Sequence, residues 1–360
     1  MSEHTRKRAR LDSEELDGNV ELAAWRQMAG EEIASVVEHK RDDEFWYEDG
    51  NIILVAGDTG FCVFKGILSD HSPVFRDMFS LPQPPNLAPS SAAERCPVVS
   101  LTDSPNELRY LLRACIPKNV EHRYLPPEPT YDEIASLIRL GHKYQIQKLV
   151  DSSIAYLRRY YPNDFDAWDK LGQHKRPPKF RSLNAIGVVN LARLTGCMDL
   201  LPAALLAICF FKKDFAFSSV PSGAPGGQTE KLSMDDIQLC FYARVELASV
   251  GVEMGLRICH PVVANTCAQP RTCKAALIDL ISTQHEDGHA LYALNAFRSY
   301  SACYQSARAT TCRACYAMLE ERDTSERRAM WKKLPELLGM VVNGWAPEDN
   351  AGAAAPQAAI

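Results

Sequence analysis

The sequence lacks most of the features that would make its chemistry easy to read. No apolar run is long enough to cross a bilayer. The longest mostly apolar stretch, Leu200 to Phe211, stops at Lys212, whereas a spanning helix needs ~20 such residues. There is no Gly-rich phosphate loop, no G-x-S-x-G elbow and no dinucleotide fingerprint, so the commonest nucleotide and hydrolase chemistries have no anchor. Charge of one sign is not in excess either. The 40 basic and 45 acidic side chains leave a net charge of -5, which argues against a nucleic-acid-binding surface spread over the whole molecule. Behind the N-terminus, Glu3, Arg6, Lys7, Arg8 and Arg10 crowd together with no apolar segment after them. That start predicts an intracellular chain without a secretory signal, in the nucleus or the cytoplasm, with no membrane contact. In a reducing compartment the 12 cysteines are free thiols or metal ligands before they are disulfides.

What is present is globular: 46% hydrophobic and 24% charged residues over 360 positions, enough for two domains. Residues 1–40 read as a mostly disordered tail, polar throughout its first part, with the short basic run Lys7-Arg8-Ala9-Arg10. That run fits a nuclear import signal, although a solvated charge run is the more ordinary reading. Asn51 to Ala56 and Phe61 to Lys65 read as a hairpin around Gly57-Asp58-Thr59-Gly60. Two short helices follow through Phe79, the second capped by Ser72 with Pro73 at its first position. Val98 to Leu101 reads as a strand. Ser104-Pro105-Asn106-Glu107 and Thr130-Tyr131-Asp132-Glu133 both carry capping-box chemistry ahead of helices. The expectation is an α+β domain over residues 41–161 and a linker at 162–182. An all-helical domain over 183–343 follows, with a mobile loop near 217–231, and then a flexible tail at 344–360. Within the helical part, Gly196 is expected to end one helix, Pro202 to open the next and Ser233 to cap a third. Further helices are expected from His289 to Ser306 and from Ser325 through Leu334, the latter capped by Asp323 or Thr324.

Phe45 to Val55, followed by Phe61 to Phe79, resembles a BTB/POZ domain. The specific block is strand, turn and strand, then Lys65-Gly66-Ile67-Leu68-Ser69 and His71-Ser72-Pro73-Val74-Phe75-Arg76-Asp77-Met78-Phe79. The helices from Ile134 to Tyr160 resemble the pair that closes such a domain. The version is similar to those of large fungal families, which Leu201-Pro202-Ala203-Ala204-Leu205 and Trp331-Lys332-Lys333-Leu334-Pro335 also resemble. Animal members usually have His where this chain has Phe64. They often have Tyr-Thr-Gly where it reads Cys115-Ile116-Pro117-Lys118, so their partner specificities are not carried over. The resemblance implies a non-catalytic interaction module that forms a homodimer or docks other proteins, as a scaffold or a transcription-related factor. The alternative it implies is a substrate adaptor gripping a cullin-type ubiquitin-ligase scaffold. Asp70, Arg76 and Asp77 are the interface candidates beside the apolar positions of that block.

Two constellations could carry other chemistry. His285-Glu286-Asp287-Gly288-His289 satisfies the H-E-x-x-H spacing of a zinc hydrolase, in which one helical face presents both imidazoles and the Glu serves as base. Asp-Gly in its middle is turn chemistry, so a polar loop at a helix start is preferred. Cys267 and Cys273, with the C-x-x-C pair Cys312 and Cys315, could complete a four-thiolate structural zinc site at ~2.3 Å. The looser spacing of the first pair, and the frequency with which free cysteine is simply buried, favour packing. No cofactor is therefore expected, with structural zinc on these four as the alternative.

Overall fold

The computed structural model describes residues 39–81, 96–116, 128–172, 176–211, 229–287 and 296–346. Most of the expected N-terminal tail, with its basic run, lies outside the described residues. So do residues 217–228 of the expected mobile loop and 347–360 of the C-terminal tail.

The first unit is built on four strands: β1 (Lys40–Trp46), β2 (Ile52–Ala56), β3 (Thr59–Val63) and β4 (Val98–Leu101), in the order β1-β3-β2-β4. The two central strands form the expected hairpin, antiparallel from Ile52 opposite Val63 to Ala56 opposite Thr59. Its turn is tighter than the sequence suggests, because Thr59 and Gly60 already belong to β3 and only Gly57-Asp58 turns the chain. β2 and β3 are almost wholly buried, as central strands covered on both faces must be, and this is why they read as continuous apolar runs. β4 runs parallel to β2 and β1 parallel to β3.

β1 was not legible in the sequence. Lys-Arg-Asp-Asp-Glu is a poor strand by composition, and its pairing with β3 is irregular between Arg41 and Trp46. The Asp42 side chain accounts for the irregularity. It accepts hydrogen bonds from the backbone N–H groups of Glu44 (3.0 Å) and Phe45 (2.8 Å), bending the strand locally.

Against the sheet pack α1 (Lys65–His71), α2 (Pro73–Ser80), α3 (Pro105–Cys115), α4 (Tyr131–Lys143) and α5 (Gln147–Arg158). Ser72 caps α2, and Ser104 and Thr130 form complete capping boxes with Glu107 and Glu133. One core joins Phe45, Leu54, Phe61, Leu68, Phe75, Leu108, Leu112, Leu137, Leu140 and Tyr144.

The helical part comprises α6 (Phe165–Lys170), α7 (Asn184–Thr195), α8 (Leu201–Cys209), α9 (Met234–Ile258), α10 (Pro270–Asp287), α11 (Ser301–Tyr304), α12 (Ala307–Thr310), α13 (Arg313–Lys332) and α14 (Leu334–Leu337). α7 ends at Gly196 with φ 70°, a left-handed cap that suits glycine. Ser233 caps α9 as expected. The stretch read as a linker at 162–182 instead holds α6, and Phe165, Trp168 and Phe180 from it are buried in the helical core. Pro, Asp and Lys give it a linker's composition, but three aromatic side chains provide enough apolar surface to anchor it.

The two parts share a wall. α4 gives Leu137 and Leu140 to the sheet core, while Tyr131, Ile134, Ala135 and Ile138 join the helical core. Where α4 crosses α7, a Cβ on Gly187 would stand 1.6 Å from the Tyr131 hydroxyl, so only glycine allows this approach.

Two expectations near the C-terminus are corrected. From 296 to 306 the chain forms turns and the short α11, in place of a helix running on to Ser306. α13 begins at Arg313 and passes straight through Asp323 and Thr324, so neither caps it.

Candidate functional site

Cys267 lies just before α10 and Cys273 in its first turn, whereas Cys312 is the residue before α13 and Cys315 lies one turn into it. α12 packs against both helices, and the four sulfurs converge within 4.8 Å of one another. Cys273 and Cys315 are buried and the other two half-buried, and none forms a disulfide. The Cys312 thiol donates to the Cys267 sulfur at 3.7 Å. Backbone amides also point inward: Cys312 N–H donates to Cys273 Sγ (3.3 Å) and Ala264 N–H to Cys315 Sγ (3.4 Å). The backbone N–H groups of Cys315 and Ala268 hold the Cys312 thiol well below its ordinary pKa. Burial pushes Cys315 the other way. Thus the two sequence pairs meet, and all four candidates stand in one cluster.

The H-E-x-x-H segment lies only partly within the described residues. His285, Glu286 and Asp287 are helical and belong to α10, in place of the polar loop expected at these three positions. Gly288 and His289 lie outside the described residues.

Two polar centres escaped the sequence reading. Glu230 is buried, and its carboxylate accepts from the Tyr131 hydroxyl (2.6 Å), Arg139 and the Asn190 side chain (2.6 Å). It therefore links α4 to α7 at the shared wall. Asp323 is buried in mid-α13 and accepts from Ser299 Oγ (2.6 Å), the Tyr300 backbone N–H (3.2 Å), the Tyr304 hydroxyl (3.0 Å) and Arg327 Nε (2.9 Å). Arg327 in turn reaches Asp169 of α6 at 2.5 Å. An acidic residue among small polar ones carries no local signal for either role. Only the burial of a full set of donors reveals it.

The sheet unit presents β1 and β4 at its edges, and α1 and α2 join its core through Leu68 and Phe75. Ser72 both caps α2 and donates to the Tyr144 carbonyl at 2.6 Å, and Phe75 stacks on Tyr144 with centroids 4.2 Å apart. This strand-hairpin-helix block, closed by α4 and α5, coincides with a match to the BTB/POZ domain family over residues 47–160. The chain carries a BTB/POZ domain. No curated protein matches the chain. The BTB/POZ family is one of protein-interaction modules, so the surface of this domain is the place to look for partners. There Asp70 on α1 and Arg76 and Asp77 on α2 are all exposed. Arg76 spends one guanidinium N–H on the Ser69 carbonyl at 2.7 Å, bracing α2 against α1. Among the described residues, no helix is long and apolar enough to cross a membrane.

Proposed function

We propose that the chain is a self-associating interaction module, a scaffold whose BTB/POZ domain pairs with a second copy while the helical part offers another surface at a fixed angle. The observation that carries this reading is the BTB/POZ domain itself, joined to the helical part by a helix with both faces buried. The Glu230 centre, bonded to Tyr131, Arg139 and Asn190, stiffens that joint further. Rigid attachment matters physically. In a dimer, two helical surfaces held in set positions bind a paired partner with a raised effective concentration and need no new contact.

Native mass measurement of the purified full-length chain tests the reading, with twice the chain mass expected. Reversing charge with Asp70→Arg and Asp77→Arg should lower that dimer fraction if α1 and α2 flank the contact. A single chain mass at all accessible concentrations overturns self-association. Weight then moves to docking of a different protein, of which a cullin-type ligase scaffold is the alternative.

A further inference from the structure

The four-cysteine cluster is independent of the BTB/POZ surface. We propose that Cys267, Cys273, Cys312 and Cys315 bind one zinc ion in a closed tetrahedral site that clamps the start of α10 to the start of α13.

The distances are those of a single thiolate-bound ion. Zinc–sulfur bonds of ~2.3 Å in a tetrahedron place the sulfurs about 3.8 Å apart. Here the Cys312 and Cys267 sulfurs are 3.7 Å apart and all four fall within 4.8 Å. A disulfide would require ~2.05 Å. A cluster of several irons would spread its thiolates farther than this. Four soft sulfur donors without an oxygen ligand select against magnesium and calcium.

The surroundings also suit thiolates better than thiols. Thiol S–H groups are weak donors, so four of them packed together gain little from one another. The backbone amides of Cys312 and Ala264, aimed at Cys273 and Cys315, are instead the outer hydrogen bonds that orient and stabilise anionic ligands. The start of α13 adds its positive dipole end to the same point. Four thiolates gathered there without a cation would repel one another, and a divalent ion removes that repulsion. On binding, each thiol gives its proton to solvent as its sulfur takes up the metal. With four protein ligands no position remains for water, so the site is structural and not catalytic. It closes a long loop, since Cys273 and Cys312 are 39 positions apart in sequence, and so holds together elements that no local signal pairs.

The test uses the full-length chain purified without chelator, with metal content read by elemental mass spectrometry. One zinc per chain is expected. The pair Cys312→Ser and Cys315→Ser should abolish it, and Cys96→Ser, outside the cluster, should retain it. Stripping the metal should lower the melting temperature by roughly 5–10 °C. If the double variant fails to fold, refilling the stripped wild-type chain with cobalt(II) decides the matter through the visible absorption of tetrahedral thiolate-bound cobalt. A metal-free chain whose four thiols titrate freely overturns the proposal, as does zinc retained by a folded double variant. One iron per chain overturns the choice of ion. A dimer without zinc, or zinc in a monomer, separates this inference from the proposed self-association.

Discussion

Asp42 shows how one side chain shapes an edge of the BTB/POZ sheet. It is buried, and its carboxylate takes two backbone N–H groups and a forked pair of bonds from Arg109 at 3.0 and 2.6 Å. Burial alone would raise its pKa, but Arg109 and the N–H groups of Phe45 and Glu44 outweigh burial and leave it below the ordinary value. A carboxyl depressed in the folded state stabilises above its unfolded pKa of about 4, and that contribution is lost as pH falls through the lower folded value. Asp42→Asn should therefore cost about 1–3 kcal/mol near neutrality, where Arg109 loses its counter-charge. The deficit should shrink as pH falls from about 4 through the lower folded value, where the wild-type carboxyl protonates. Denaturant midpoints across that range would check this, and an unchanged gap would contradict the charge-based account.

At the scale of elements, α13 departs most from what its sequence suggests. Asp323-Thr324-Ser325-Glu326 has the composition of a helix start, yet it sits in mid-helix because tertiary partners satisfy it. Asp323 collects donors from Ser299, Tyr300 and Tyr304, and Arg327, one turn later, bridges to Asp169. Asp323→Ala would leave the Arg327 guanidinium, 5% exposed, without its buried partner and with only the half-exposed Asp169 to face it. A loss of about 3–5 kcal/mol is expected from breaking such a pair on one side. Urea unfolding measures it, and a loss under ~1 kcal/mol would show that Asp323 behaves as a surface charge. The helices with purely local signals, α2, α3, α4 and α9, begin where Ser72, Ser104, Thr130 and Ser233 cap them.

For the whole molecule, the consequence of the shared wall is that the BTB/POZ domain is not a detachable bead. Tyr131, Ile134, Ala135, Ile138, Ile154 and Leu157 pack into the same core as Val188, Leu191 and Leu205. Residues 39–161 expressed alone would expose that apolar face, large enough to drive aggregation or a loosened fold. The expected result is lower solubility, stronger binding of a hydrophobic dye and a lower melting temperature than the full chain. A fragment that melts cooperatively at the full-chain temperature would show that the wall is not required.

For several elements the responsible residues lie within a few positions of one another, and there the sequence by itself was sufficient. β-Branched and apolar runs marked β2, β3 and β4, and Ser-Pro-x-Glu spacing marked the start of α3. A run of motif residues from Lys65 to Phe79 pointed to the BTB/POZ family. Packing decided the rest. β1 is a strand because its backbone pairs with β3, while Asp42 ties it to Arg109 67 positions away, and α6 is core because Trp168 meets Trp331 with ring centroids 4.9 Å apart. The two cysteine pairs became one four-sulfur cluster only once α10 and α13 were brought start to start. These interactions depend on distances between segments remote in sequence, which neither composition nor periodicity encodes.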